Sequence, residues 1–380
     1  MVGSLIHWFS VMSLKLDNLV PEHIRLFDPY RPSPPDAELM RLYGLNHLHR
    51  LNNNENILGP SPAVRELLAE INAGIIPIYP HGDSQNLRDT LSEKLGPDRS
   101  RFLVGNGSCE LISSVVKAFC EPGDNIITAD KTFAVYEWVA EFSGIEARLI
   151  PLDQNYRFDP DAMLDAIDGR TKIIFVCNPN NPTGTYWDEM TMRRFLDAVD
   201  GRCIVVADEA YCEFVEQPDF PDCIKLQDEY PNLVSFRTFS KMYALAALRV
   251  GYLCAGEDVT DIISRAHVAY SVNTTAQMAA RAALLDRSPF IGQTLEMVRS
   301  GRKLIADTCE KLGFDYIIGE GNYVMIRTPI SDTLLQRKLL RRGFLVRTMT
   351  GFRFPNWIRV SLVKESVLEE FCVVLTEIFS

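Results

Sequence analysis

Apolar positions along this chain fall into two textures. From about Arg101 to Ala255, short apolar runs bounded by Gly, Pro, Asp or Asn alternate with stretches of helical period. The runs Arg101–Val104, Asn125–Thr128, Ala147–Pro151, Ile173–Cys177, Ile204–Ala207 and Val234–Arg237 read as buried strands, and Arg249–Cys254 adds another. Glu110–Cys120 and Met190–Asp200 between them read as amphipathic helices. Strands spaced by helices predict a mostly parallel sheet covered on both faces. After Asn273 the texture changes. Thr275–Leu285 and Phe290–Leu312 are long helical patterns, and Tyr323–Arg327 and Trp357–Leu362 read as strands of a smaller α+β unit. Pro21, Pro29, Pro32, Pro34 and Pro35 exclude a long helix near the start. The expected organisation is an N-terminal arm (1–55), a large α/β domain (56–275) and a small C-terminal domain (276–380).

Composition narrows the class. With 380 residues, 47% hydrophobic and 23% charged, the chain can bury a large core without disulfides. Its 39 basic and 50 acidic side chains leave a net charge of −11, which argues against a nucleic-acid partner. The nine cysteines are odd in number and form no C-x-x-C pair, the usage of a reducing compartment. The six histidines do not cluster in sequence: His47 and His49 are two apart, a spacing that diverges on a helix, and no metal site is expected. No run of 18 apolar residues suggests a membrane span, and no Lys or Arg before Lys15 supplies a signal-peptide n-region, so the expected location is cytoplasmic.

In an open parallel sheet, ligands bind beyond the carboxyl ends of the strands. Four such ends carry candidate chemistry. Gly105-Asn106-Gly107-Ser108-Cys109-Glu110 opens a helix whose free N–H groups suit a phosphate, although it lacks the third glycine of a dinucleotide fingerprint. Asn178-Pro179-Asn180-Asn181-Pro182-Thr183-Gly184 is a conformationally restricted loop able to position polar groups. Asp208 ends a buried strand, where a carboxylate needs a partner or a helix to cap. Thr238-Phe239-Ser240-Lys241 follows the next strand, with Arg249 eight residues after the lysine. An isolated lysine reads as a surface residue; at such a mouth it can become a nucleophilic amine that forms a Schiff base. One ligand needs the whole set. Pyridoxal phosphate has an aldehyde for Lys, a ring nitrogen for Asp and a phosphate for the helix start and Arg.

On these residues the chain resembles the class I/II aminotransferases of pyridoxal-phosphate fold type I. Its motif order is most similar to histidinol-phosphate aminotransferases, from about Tyr30 to Arg359. Asp-Pro-Tyr30, Asn54-Glu55-Asn56, Gly59-Pro60-Ser61-Pro62 and Tyr79-Pro80 carry the subgroup likeness. The resemblance implies an aspartate aminotransferase-like fold with a seven-stranded, mostly parallel sheet. It also implies roles. Lys241 is the Schiff-base lysine and proton shuttle, Asp208 keeps the pyridine nitrogen protonated, and Asn181 and Tyr211 bond the 3′-oxygen. Phe133 stacks on the ring. Ser108, Cys109, Thr238, Ser240 and Arg249 hold the phosphate, with Tyr79 donated by the partner of a homodimer. Arg359 takes the substrate carboxylate, Asn181 also contacts substrate, Arg347 takes the substrate phosphate as in histidinol-phosphate enzymes, and Tyr30 lies near the same group.

The sequence departs from the family pattern at Cys109, where Asp or Ser is usual, and at Ala244 and Ala247, where glycines are common. Val363 also stands where a Val-Gly-Thr turn usually follows the carboxylate arginine. The expected function is transamination between an amino donor, of the amino-acid or amino-alcohol-phosphate type, and a 2-oxo acid. Decarboxylation, or elimination and cyclisation, of an amino acid is the alternative, because Lys241 and Asp208 serve all of these. A non-catalytic ligand- or DNA-binding regulator is disfavoured by the charge and by the complete Lys/Asp/Arg set.

Overall fold

The computed structural model describes residues 18–29 and 33–380. Its strands in chain order are β1 (His49–Leu51), β2 (Phe102–Gly105), β3 (Asn125–Ala129), β4 (Glu146–Ile150), β5 (Thr171–Cys177) and β6 (Ile204–Asp208). There follow β7 (Leu233–Thr238), β8 (Gly251–Cys254), β9 (Tyr316–Ile318), β10 (Tyr323–Arg327), β11 (Phe344–Thr348) and β12 (Trp357–Ser361). Seven of them form one sheet in the order β2-β8-β7-β6-β5-β3-β4. All neighbours are parallel except at β8, which runs antiparallel to both β2 and β7. The central strands are apolar on both faces because helices cover both. Ile173, Ile174, Phe175, Val205, Val206, Val234 and Phe236 are fully buried.

Register decides what meets at the carboxyl edge. Cys177 pairs with Asp208, and Asp208 with Phe236, so β5 and β6 end level and β7 runs two residues further. The asparagine loop, the strand-end aspartate and the segment leading to Lys241 are thereby brought side by side. The strand expected from Arg249 begins only at Gly251. Arg249 itself has φ 54°, a left-handed conformation that breaks the extended run.

The second sheet has five strands in the order β1-β11-β12-β10-β9. The segment read as an arm contributes β1, parallel to β11. Helices Phe290–Leu312 and Glu365–Phe379 pack on this sheet, burying Val298, Ile305, Leu368 and Phe371 against Val324, Ile326 and Ile358. The prolines of the first fifty residues leave two short helices among the described residues, Glu22–Leu26 and Asp36–Tyr43.

One reading of the histidines is corrected. His49 lies in β1 and His47 two residues before it, and the two rings meet on one side rather than diverging. The ring centroids are 5.0 Å apart. No described helix is long and apolar enough to cross a membrane.

Candidate active site

Beyond the carboxyl ends of β5, β6 and β7 lies a cavity of about 680 Å3, closed on the far side by β11 and β12 of the second sheet. At one end, helix Ser108–Phe119 points its N-terminus inward. Its cap residue Gly107 has φ 75° and supplies no side-chain acceptor, so the first amides of the helix are free for an anion. A Cβ at Gly107 would collide with Arg249 Nη2, and one at Gly251 would lie 3.2 Å from the Ser108 amide nitrogen. Both glycines let backbone and guanidinium converge. Thr238 Oγ1 donates to Ser240 Oγ at 3.0 Å and accepts from the Ser240 amide at 3.1 Å, turning the chain so that both hydroxyls face the same end. Cys109 completes this wall, its thiol pushed up by burial and therefore protonated and inert.

Asp208 sits in the cavity floor, 2% exposed. Burial raises its carboxyl to about 6, against the opposing hydrogen bonds from Tyr136 Oη (2.6 Å) and the Ala210 amide (3.2 Å). None of these partners is cationic. The carboxylate therefore gains from any ligand that brings a positive N–H to it. Tyr136 is fully buried, stacked on Phe175 at 4.7 Å and edge-on to Phe133 at 5.6 Å. Burial, with Asp208 beside it, holds the phenol well above 10, so it remains a donor.

Lys241 enters from the side. Its Nζ donates to the Asn53 carbonyl at 2.9 Å and lies 5.9 Å from the Tyr211 ring centroid. Burial lowers the ammonium to about 8; Arg359 and Arg249 push the same way, and Glu55 opposes. A much larger fraction of this lysine than of a solvated one is thus neutral, and nucleophilic, near physiological pH. Tyr211 accepts from Asn54 Nδ2 at 2.9 Å and is pushed up to about 12 by burial.

The remaining wall is cationic. Arg359 is 5% exposed; it donates to Asn181 Oδ1 and, at 2.9 Å, to the Asn52 carbonyl, and lies over the Tyr323 ring. Its Nε is buried without a partner. Arg347 is directly opposite on the neighbouring strand, its guanidinium 5.6 Å from the Phe352 ring centroid. Like charges facing across a sheet repel. No carboxylate lies within salt-bridge distance of either among the described residues, which is the arrangement of an anion receptor.

A family model described as aminotransferase class I and II matches residues 46–375. The chain belongs to the class I and II aminotransferases. Histidinol-phosphate aminotransferase of Bacillus velezensis is 39% identical over 360 residues, covering 94% of this chain and 99% of that protein. The enzyme of the same name from Bacillus licheniformis is 37% identical over 352 residues, 93% and 97% of the two chains. Among solved structures, histidinol-phosphate aminotransferase from Sinorhizobium meliloti in complex with pyridoxal 5′-phosphate superposes with TM-score 0.85 at 22% identity, covering 95% of this chain and 97% of that one. Aspartate aminotransferase from Thermotoga maritima gives 0.83 at 19%, over 94% and 99%. The aspartate aminotransferase-like architecture is thus the observed one, and this transaminase works with pyridoxal 5′-phosphate.

The aminotransferase cavity carries the donor set such a group requires: an amine, a carboxylate open to a cation, and an anion cradle. Ser108, Cys109, Phe133, Asn181, Asp208, Tyr211, Thr238, Ser240, Lys241, Arg249, Arg347 and Arg359, all singled out in the sequence, line it together. Tyr79 does not: it is 83% exposed and tilted against Tyr270, away from this chain's own cavity. Tyr30 lies outside the described residues. Sequence reasoning missed Tyr136, whose only signal was its place three residues after Phe133 on a helix pointing at the site. It also missed the Asn52–Asn53 backbone carbonyls, which hold Arg359 and Lys241 and leave no trace in side-chain identity.

Proposed function

We propose that this aminotransferase exchanges an amino group between a phosphate-bearing amino alcohol of the histidinol-phosphate type and a 2-oxo acid. The observation that carries the reading is the pair of uncompensated arginines, Arg347 and Arg359, in the same cavity as Lys241. A ping-pong transaminase must bind an amino donor and then a 2-oxo acid in turn at one site. An anion receptor accepts a phosphate monoester in one half-reaction and carboxylates in the other. The relatives' printed names agree with the first of these.

Pyridoxal 5′-phosphate, when bound, supplies an aldehyde carbon for amines and a ring that delocalises the electron pair left when a substrate C–H bond breaks. The amides at Ser108 and Cys109, the hydroxyls of Thr238 and Ser240 and the Arg249 guanidinium hold its phosphate. Asp208 would hold a cationic ring nitrogen, with Tyr136 keeping the carboxylate oriented. Tyr211 and Asn181 would hydrogen-bond the ring's oxygen, and Phe133 would pack against the ring. Lys241 would hold the group through its amine, and the same Nζ, when free, would take the proton from the substrate carbon that bears the amino group. The loss of the proton fits a base whose conjugate acid lies at about 8. Arg359 takes a carboxylate and Arg347 the phosphate or distal carboxylate, fixing which bond is aligned for cleavage. The active unit is a homodimer in which Tyr79 completes the partner's phosphate cradle.

A half-reaction screen tests this. Histidinol phosphate, aromatic amino acids and basic amino acids are added singly, and the loss of the cofactor's visible band is followed. Histidinol phosphate should discharge the band fastest, and Arg347→Ala should slow it more than it slows an aromatic amino acid. Turnover without any 2-oxo acid, or release of carbon dioxide, would overturn transamination in favour of elimination or decarboxylation.

A further inference from the structure

The histidine pair on β1 faces a carboxylate that the catalytic reading does not use. Glu370, in the helix Glu365–Phe379, places Oε1 3.9 Å from His47 Nε2 and Oε2 3.8 Å from His49 Nε2. One ligand atom from each of the three residues lies within 4.8 Å of the others. The strand supplies the geometry. A spacing of two on an extended chain puts both imidazoles on one side, and the helix crossing that side supplies the third donor.

The site is partly built. The ring of His49 stacks on the buried Phe344 ring at 5.3 Å with an interplanar angle of 29°. The His49 amide is fixed by the Gly343 carbonyl at 2.8 Å. Gly343 has φ 85°, a left-handed turn conformation that favours glycine, and it lies against the His47 ring. We propose that His47 Nε2, His49 Nε2 and the Glu370 carboxylate bind one divalent transition-metal ion of the zinc type.

The chemistry fits. Two imidazoles and one carboxylate are borderline ligands that suit zinc over calcium or magnesium. Tetrahedral bonds of about 2.1 Å space neighbouring ligand atoms by about 3.4 Å, so ligand atoms now within 4.8 Å of one another must close by up to about 1.4 Å, a movement that side-chain rotation of the exposed His47 and Glu370 supplies. Water fills the fourth position, since the site faces solvent. The bound ion ties β1 to the last helix, and β1 runs three residues on into Asn52, the carbonyl that holds Arg359. Its role is that of a staple between chain ends, separate from the amino-transfer chemistry.

Zinc chloride is titrated into the cofactor-loaded enzyme, with binding read by calorimetry and by competition with a fluorescent chelator. The expected result is one saturable site per chain, weakened at least ~10-fold in each of His47→Asn, His49→Asn and Glu370→Gln. Zinc should raise the unfolding temperature of the parent and of none of the variants. The cofactor's visible band, retained in all three, shows that each is folded. Absence of a saturable site, or affinity unchanged in the variants because the metal sits on thiols elsewhere, overturns the proposal. Full affinity in Glu370→Gln overturns the three-ligand site.

Discussion

At the scale of single residues, burial sets the chemistry of this cavity. Lys241 and Asp208 are both displaced toward their neutral forms, the amine to about 8 and the carboxyl to about 6. For the lysine, the neutral amine grows as pH rises. The cofactor-free protein should therefore react with an aromatic aldehyde along a curve with its midpoint near 8, well below that of a free lysine, and Lys241→Ala should abolish the reaction. Absorbance at the imine band against pH checks this.

For the aspartate the sign is opposite to that of an ion-paired carboxylate. A folded-state value raised from 3.8 to about 6 means the folded protein holds the proton more tightly, so its contribution to stability falls as pH rises through 6 and then levels off. The span is on the order of 3 kcal/mol. Asp208→Asn should flatten that part of the profile and stabilise the cofactor-free protein at pH 7 by ~1–3 kcal/mol. The same change should weaken cofactor retention at least ~100-fold. Denaturant melts of the two proteins at pH 5 and 7, with and without cofactor, separate the two effects. Tyr136 was not legible at this scale, because a tyrosine on an apolar helix face reads as core. Only the fold shows its hydroxyl ending on Asp208.

At the scale of elements, the large sheet was legible and much of the small one was not. Strands buried on both faces are written as continuous apolar runs such as Ile173–Cys177. The three-residue strands β1 and β9 are too short to show any period, and His49–Leu51 becomes a strand only because β11 offers it a parallel edge. The glycine turn before helix Ser108–Phe119 is a case where residue type mattered more than pattern. Gly107 has a positive φ and abuts the Arg249 guanidinium. Gly107→Ala should strain the turn and displace that guanidinium, raising the dissociation constant of the cofactor ~10-fold or more with a loss of ~1–2 kcal/mol in stability. Equilibrium dialysis of cofactor and a thermal melt measure the two.

At the scale of the whole molecule, two features reach between the large and small units. Gly184 and Gly319 bring backbones into direct contact, and the Glu320 amide donates to the Gly184 carbonyl at 2.7 Å. Nearer the mouth, Arg353 bonds Glu137 at 2.7 and 3.0 Å and the Asp130 carbonyl at 2.9 Å, next to Phe352 and Arg347. This clamp is solvent-facing, so its worth to stability is under ~1 kcal/mol. Its effect is on position. Arg353→Ala should leave the unfolding temperature nearly unchanged and lower kcat/KM about tenfold by loosening Phe352 and Arg347 over the substrate. Steady-state kinetics beside a melt distinguishes this from simple destabilisation. The net charge of −11 meanwhile surrounds a cavity bearing Arg249, Arg347, Arg359 and Lys241, a local reversal of sign that selects small anions.

By itself, the sequence determined the fold family and picked out residues that line one cavity, because most of them sit at the carboxyl end of a strand whose apolar run is visible locally. It misjudged the histidines, since a spacing of two means opposite things on a helix and on a strand, and the strand exists only through its pairing with β11. The tertiary structure alone decided that Tyr136 reaches Asp208 and that Arg347 faces Arg359. It also decided that backbone carbonyls at Asn52 and Asn53 hold the two cations and that Glu370 meets the histidine pair. Those are contacts between residues far apart in the chain. They follow from register and packing, which no local pattern records.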